Sequence, residues 1–389
     1  MSEYIEKGLG PNELLAELHS LIKSYNSAKG TFMLVYASAV EKPIPDCAMC
    51  MDDYYTIRDL LRKNDLKKLD FYIETPGGRG EAAEEIARFI RERFDDIDFV
   101  ISGEAKSAGT VLALSGDNIW MTESGSLGPI DAQVKIGRTL TSAHDYIEWV
   151  DEKREEANKI GKLNPFDAVV TAQISPGELK HVFYAQKFSE DLVKEWLPKY
   201  KFKNWVTTET RGVTVTPEMR QDAADSVVRE LLNHSRWRSH GRSLKIADLN
   251  GIGLKIEKLD ENPILAEIVY KIQTLIRLLF LNTNIYKIFA TDSEKIIRQA
   301  VPAGGAQKLP PLPGNAKSIQ IDVKCQKCGE MHKFYAKFEA DPLIDKQLQE
   351  KGFQPFPKTN KLICKCGFEL DLSGLRNDIE AKTRKKFII

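Results

Sequence analysis

One serine, Ser107, stands in "GEAKSAGTVLALSGD" (Gly103 to Asp117) between a lysine and two small residues, where a short apolar run begins. Two chemistries fit it. The hydroxyl can cap the helix that the run predicts, since first-turn amides lack partners and serine is a preferred cap. It can also act as a nucleophile, if a base takes its proton and donors await the oxyanion. The stretch "TPGGRG" (Thr75 to Gly80) offers such donors, because the paired Gly77 and Gly78 let bare N–H groups approach a ligand. Ala108 N–H, just after the serine, is another donor, helped by the helix dipole. Four cysteines carry a different chemistry. Cys325 and Cys328 in "CQKCG" and Cys364 and Cys366 in "CKCG" form two close pairs, each followed by glycine. Four thiolates suit a tetrahedral Zn²⁺ closed to substrate, so one structural zinc per chain is expected.

These residues need a frame. "TFMLVYAS", "LDFYIET", "DFVIS" and "NIWMT" read as buried strands. Between them lie helical patterns in "DDYYTIRDLLRK", "EAAEEIARFIRERF" and the run after Ser107, with an amphipathic opening helix from Asn12 to Lys23. Strand–helix–strand alternation predicts an α/β core with parallel strands. Ligands in such sheets bind beyond the carboxyl ends of the strands, where both "TPGGRG" and "EAKSAG" fall. From Tyr146 to about His234 the chain reads as helical, and "LKIADLNGIGLKIEKL" as a helix, a turn and a strand. "VPAGGAQKLPPLPGNAK" (Val301 to Lys317) has the composition of a linker. Strands at "SIQIDVKC", "HKFYAKFE", "NKLIC" and "FELDL", with a helix in "DPLIDKQLQEKGFQPFP", make the cysteine unit a zinc ribbon. The expected division is a helical segment 1–30, an α/β domain 31–300, a linker 301–317 and a ribbon 318–389.

Lys+Arg and Asp+Glu both number 56, so bulk charge draws the chain to neither nucleic acid nor anionic membrane. Nucleic-acid contact is left to the ribbon alone, and recognition of protein or substrate is preferred there. "LIRLLFLN" (Leu275 to Asn282) is too short to span a bilayer, and "MSEYIEKGLGPNELL" lacks the pattern of a signal peptide. Closely paired cysteines fit a reducing compartment, hence the cytoplasm. The third pair, Cys47 and Cys50 in "PDCAMCMDD", reads as small buried residues opening a helix.

"YIETPGGRGEAAEEIARFI", "VISGEAKSAGTVLALSGDNIWM" and "SGSLGPIDAQ", in this order and spacing, resemble the serine dehydrogenase proteinase family. These are Clp/crotonase-fold serine peptidases, related to the Clp proteolytic subunit and signal peptide peptidase A. The resemblance runs roughly from Thr31 to Leu259 and implies a Clp/crotonase-type core with a helical extension. It implies a nucleophile at Ser107 and oxyanion stabilisation at Gly77 and Gly78. The family's order of Ser, Asp, His places the remaining roles on Asp131 of "SLGPID" and His240 of "SRWRSHGRSL". His240 would take the proton from Ser107, and Asp131 would orient the imidazolium. His144 and His234 are reserve bases. Signal peptide peptidase A uses a Ser–Lys dyad instead, for which Lys135 and Lys106 stand near. Both read as solvated lysines, whereas a lysine base must be desolvated. The resemblance further implies a peptide substrate and a homo-oligomer, with "LIRLLFLNTNIYKIF" offering an interface. Two alternatives stay open: an inactive Clp-like scaffold, and a crotonase-type acyl-thioester enzyme that uses the oxyanion hole without a nucleophile.

Overall fold

All seven residues of strand β1 (Phe32–Ser38) are buried, as befits a strand covered on both faces. Leu34 and Tyr36 turn to one face, and Met33, Val35 and Ala37 to the other. The computed structural model containing this strand describes all residues except 1, 63–65, 137–138, 209–211, 301–316, 326–327, 373–374, 377–378, 381–384 and 389. The chain divides into two units, Met1–Pro302 and Ala303–Ile389. The expected linker lies, except for Lys317, outside the described residues.

In the first unit β1 pairs in parallel with β2 (Lys68–Glu74), β2 with β3 (Asp96–Ile101), β3 with β4 (Asn118–Met121) and β4 with the short β5 (Glu257–Lys258). On the other side of β1 lie β6 (Ile285–Ala290) and β7 (Lys295–Gln299), both antiparallel. The order β7-β6-β1-β2-β3-β4-β5 makes a seven-stranded mixed α/β sheet. Helices Pro11–Lys29 and Pro263–Asn282 cover one face through Leu18, Ile22, Ile272 and Leu279. Met51–Leu61, Gly80–Arg93 and Ala108–Ala113 cover the other, joined by Pro176–Lys199 and Pro217–Leu232.

One expectation is corrected here. "LIRLLFLNTNIYKIF" was read as a possible subunit interface, but Leu275, Ile276, Leu278, Leu279 and Phe280 are buried within the chain. The "IYKIF" that follows is strand β6. Five of the eight residues of "LIRLLFLN" thus serve the chain's own core, while Leu281 stays 68% exposed.

In the second unit, β8 (Ser318–Lys324) and β9 (Met331–Lys337) form an antiparallel pair, and Lys361–Ile363 pairs with Glu369–Asp371. Helix Pro342–Glu350 occupies the insertion between the cysteine pairs. Ile319, Ile321, Phe334 and Phe356 form its core. Among the described residues, no helix is long and apolar enough to cross a membrane.

Candidate active site and cysteine site

The loops leaving β2 and β3 are tied together at the carboxyl edge of the sheet. Thr75 N–H donates to Glu104 O at 2.7 Å, and Lys106 N–H donates to Thr75 O at 3.0 Å. Just after Thr75 the chain turns through Gly77 (φ 102°) and Gly78 (φ 152°). Both positions exclude a side chain. A Cβ on Gly77 would lie 2.8 Å from Ser107 Cβ and 2.9 Å from Lys106 O, and one on Gly78 would lie 2.3 Å from Met49 N and O. Met49 holds this loop from below, donating to Gly77 O at 2.7 Å and accepting from Arg79 N–H at 3.0 Å. The Met49 segment is itself pinned by Lys287 Nζ, which donates to Ala48 O at 2.8 Å and to Asp53 Oδ2 at 2.6 Å.

Ser107 has φ 49° and ψ −116°, a conformation L-residues seldom adopt. Such a residue costs about 1–3 kcal/mol and persists only where its surroundings over-determine it. The hydroxyl makes no capping bond and no other hydrogen bond among the described residues. Capping is therefore not its task in this structure. Neither Gly78 N–H nor Ala108 N–H donates to a protein acceptor among the described residues. Gly77 N–H differs, being engaged with Thr75 Oγ1 at 3.2 Å. Gly77 thus makes room for the serine, while the two unengaged donors belong to its neighbours.

Beyond β4, Ser126–Leu127 runs alongside Glu104–Ala105, and Leu127 exchanges backbone bonds with Leu244 at 3.1 and 2.9 Å. That pairing brings the segment after His240 to the segment before Asp131. Asp131 is fully buried, with Oδ1 2.9 Å from His240 Nδ1 and Oδ2 accepting from Gln133 Nε2 at 3.2 Å. The His240 side chain is 26% exposed. No hydrogen bond joins His240 to Ser107 in this structure, and Asp131 is the only hydrogen-bond partner of the imidazole among the described residues.

The lysine readings divide. Lys135 is exposed, as expected. Lys106 is not solvated, and that reading is corrected: it is 6% exposed, and burial lowers its ammonium pKa, with Glu104 opposing and Lys245 reinforcing the shift. Its Nζ bonds Ser243 Oγ at 2.8 Å, Ser126 Oγ and Leu127 O at 3.2 Å each, and Arg242 O at 3.4 Å, with no bond to Ser107 Oγ. His144 lies on helix Ala143–Ile160 with Nδ1 3.8 Å from Asp145 and 3.9 Å from Glu148. The side chain of His234 lies outside the described residues. Met49 and Ser243 escaped the sequence reading, Lys106 is the lysine it took as solvated, and only the small residues crowding Ser107 hinted at so tight a turn.

Residues 45–212 match the model of the ClpP-like SDH-type serine proteinases. That match covers 168 of the 389 residues. The ClpP-like stretch includes Gly77, Gly78, Ser107, Ala108 and Asp131, while His240 lies beyond it. Two uncharacterized proteins of Methanocaldococcus jannaschii are similar to part of the chain. One is 38% identical over 68 residues, covering 18% of this chain and 24% of that protein. The other is 36% identical over 66 residues, covering 17% and 23%. The chain thus spans about a quarter of the length of the curated relatives it matches. Among solved structures, two mutants of the 1510-N membrane-bound stomatin-specific protease are similar at a TM-score of 0.31 each. Their identities are 12% and 13%, covering 57% and 56% of this chain and 79% and 72% of theirs.

In the second unit, the Sγ atoms of Cys325, Cys328, Cys364 and Cys366 all lie within 4.8 Å of one another. Cys325 and Cys366 are 3.7 Å apart, and Cys328 and Cys364 are 3.5 Å apart. A tetrahedron with Zn–S bonds of about 2.3 Å has edges of about 3.8 Å, so the cluster matches the size of a zinc site. Gly329 (φ 78°) and Gly367 (φ 80°) close the two knuckles, donating to Cys325 O at 2.9 Å and Cys364 O at 2.8 Å. His332 Nε2 lies 3.3 Å from Cys364 Sγ, beside the four sulfurs. Cys47 is buried and Cys50 occupies the N-cap of helix Met51–Leu61; among the described residues neither joins a metal-sized cluster.

Proposed function

We propose that the chain is a serine peptidase hydrolysing peptide bonds through an acyl-enzyme on Ser107. The observation that carries this reading is the Ser107 turn: a strained serine whose hydroxyl caps nothing, packed on Gly77, with undonated N–H groups on the adjoining residues Gly78 and Ala108. His240, oriented through Nδ1 by Asp131, takes the proton as Ser107 Oγ attacks the peptide carbonyl. The oxyanion lies between Gly78 and Ala108 N–H, while Gly77 keeps the path clear. Collapse of this intermediate expels the amine, which leaves with the proton held by His240. Water then repeats the attack on the ester, releasing the acid and restoring the serine. The contact between His240 and Ser107 forms when substrate closes the site, since catalytic hydrogen bonds tighten in the Michaelis complex.

The proposal extends to the rest of the chain. Residues 31–300 form the peptidase domain behind the opening segment 1–30, and 301–317 link it to a zinc ribbon over 318–389. One structural Zn²⁺ held by Cys325, Cys328, Cys364 and Cys366 supplies folding energy there and no catalysis. The ribbon recognises substrate or a protein partner, the peptidase works as a homo-oligomer, and thiolate ligation suits the cytoplasm. The test is hydrolysis of an unstructured protein such as casein by the purified full chain. Ser107→Ala should lose on the order of 10³-fold or more in rate. Undiminished hydrolysis by that variant would falsify the reading.

A further inference from the structure

We propose that Lys106 is a positioning residue: its buried side chain is the strut that holds the strained Ser107 turn to the segment carrying His240. The catalytic consequence rests on the peptidase reading above, while the mechanical role does not. Burying an ammonium group is costly unless it is bonded, and the usual compensation is a carboxylate. Lys106 has no carboxylate within bonding distance among the described residues. Its four partners are neutral oxygens from two segments, Ser126–Leu127 and Arg242–Ser243. A methionine could fill the same volume without that cost, so the lysine is explained by what its bonds connect.

The main chain of Lys106 is equally committed. Its N–H donates to Thr75 O at 3.0 Å, and its carbonyl accepts from Gly109 N–H at 2.8 Å. Its stem lies against Gly128, where a Cβ would come within 3.0 Å of Lys106 Cδ and 3.4 Å of Lys106 Cα. Three paths therefore meet on one residue. Ser107 is its neighbour in the chain, Ser126 to Gly128 lead to Asp131, and Arg242 and Ser243 follow His240. An unusual conformation such as that of Ser107 survives only under external constraint, and this clasp provides it from the side of the base. The same bonds separate Lys106 from a dyad base, because Nζ is bound elsewhere and not to Ser107 Oγ.

The experiment uses the full chain and two readouts. Lys106→Met keeps an unbranched stem and removes the donors, and Ser243→Ala removes the shortest bond from the far end. Phosphonylation by a fluorophosphonate probe should slow by about 10²-fold in Lys106→Met, the loss expected of a misplacement near 1 Å. It should slow several-fold in Ser243→Ala. Adding Ser243→Ala to Lys106→Met should cost nothing more, because the two residues report one interaction. Peptide hydrolysis should lose kcat with KM nearly unchanged. Independently of activity, backbone hydrogen exchange over residues 238–244 should accelerate in both single variants while β1–β4 stay protected. Wild-type labelling rates, additive losses, or unchanged exchange over 238–244 would each overturn the strut. If Lys106→Met fails to fold, Ser243→Ala alone decides by the same two readouts. A wild-type chain that refuses the probe overturns the peptidase reading instead, and the exchange measurement still decides the strut.

Discussion

Gly77→Ala perturbs the geometry of the site without altering its chemistry. The new methyl would lie 2.8 Å from Ser107 Cβ and 2.9 Å from Lys106 O, and ordinary contact begins at 3.4 Å. Neither obstacle can rotate away, since one is a Cβ and the other a backbone oxygen. The serine and the glycine loop must therefore separate by about 0.6 Å, which at roughly 10²-fold per ångström of misplacement costs about ten- to a hundredfold in rate. Alanine at φ 102° adds backbone strain of about 1–2 kcal/mol. A control isolates that strain: Gly161 has φ 78° with nothing within 4 Å of its would-be Cβ. Gly161→Ala should lower the melting temperature by a few degrees and leave labelling by a fluorophosphonate probe unchanged. Gly77→Ala should fold, melt at least that much lower, and label ten- to a hundredfold more slowly. Labelling of Gly77→Ala at the wild-type rate would refute the placement of the nucleophile against this loop.

His240→Ala should cost nearly as much hydrolysis as Ser107→Ala, because the pair acts as a unit, while Asp131→Asn should retain more activity; equal activity of His240→Ala and wild type would remove the histidine from the mechanism. Metal analysis should find one zinc per chain, and chelation should unfold residues 318–389 while the sheet of the first unit survives; a Cys364→Ser variant with an equally protease-resistant C-terminal unit would contradict this. The carboxyl of half-buried Glu74, beneath Gly103 and beside the Tyr72 hydroxyl, is pushed up by desolvation to about 7 from an ordinary 4.5. A folded-state pKa raised in this way stabilises fully below about 4.5 and loses its contribution as pH rises toward 7. Melting temperatures of Glu74→Gln should therefore fall less between pH 5 and pH 8 than those of the wild type, and parallel curves would show the carboxyl to be solvated.

The strands β1 to β4 were legible because each carries a short cluster of apolar and aromatic residues, continuous only in the fully buried β1, and Pro, Gly or Asp bounded each cluster. Strand β6 hid because Lys287 sits at its centre, and a lysine inside "NIYKIFA" suggests a surface rather than a fully buried ion pair with Asp53. Lys106 was misread for the same reason. Its compensating oxygens come from residues 126–127 and 242–243, which local sequence could not bring to it. The turn at Ser107 could be read from "KSAG", since small residues mark close packing. Asp131 and His240, 109 residues apart, were paired only by family resemblance, because no local pattern encodes a contact at that separation. Met49 left no signal at all; its contribution to the glycine loop is a backbone pairing that any side chain could make. The cysteine knuckles were the plainest feature, because short spacing and a following glycine describe the turn itself.

The most direct measurement is to treat the purified full chain with a fluorophosphonate probe and map the adduct by peptide mass spectrometry. Phosphonylation of Ser107 alone is expected, lost in Ser107→Ala and prevented by prior denaturation. An unreacted Ser107 in a chain that hydrolyses peptides, or an adduct on another residue that survives Ser107→Ala, would contradict the assignment of this serine as nucleophile.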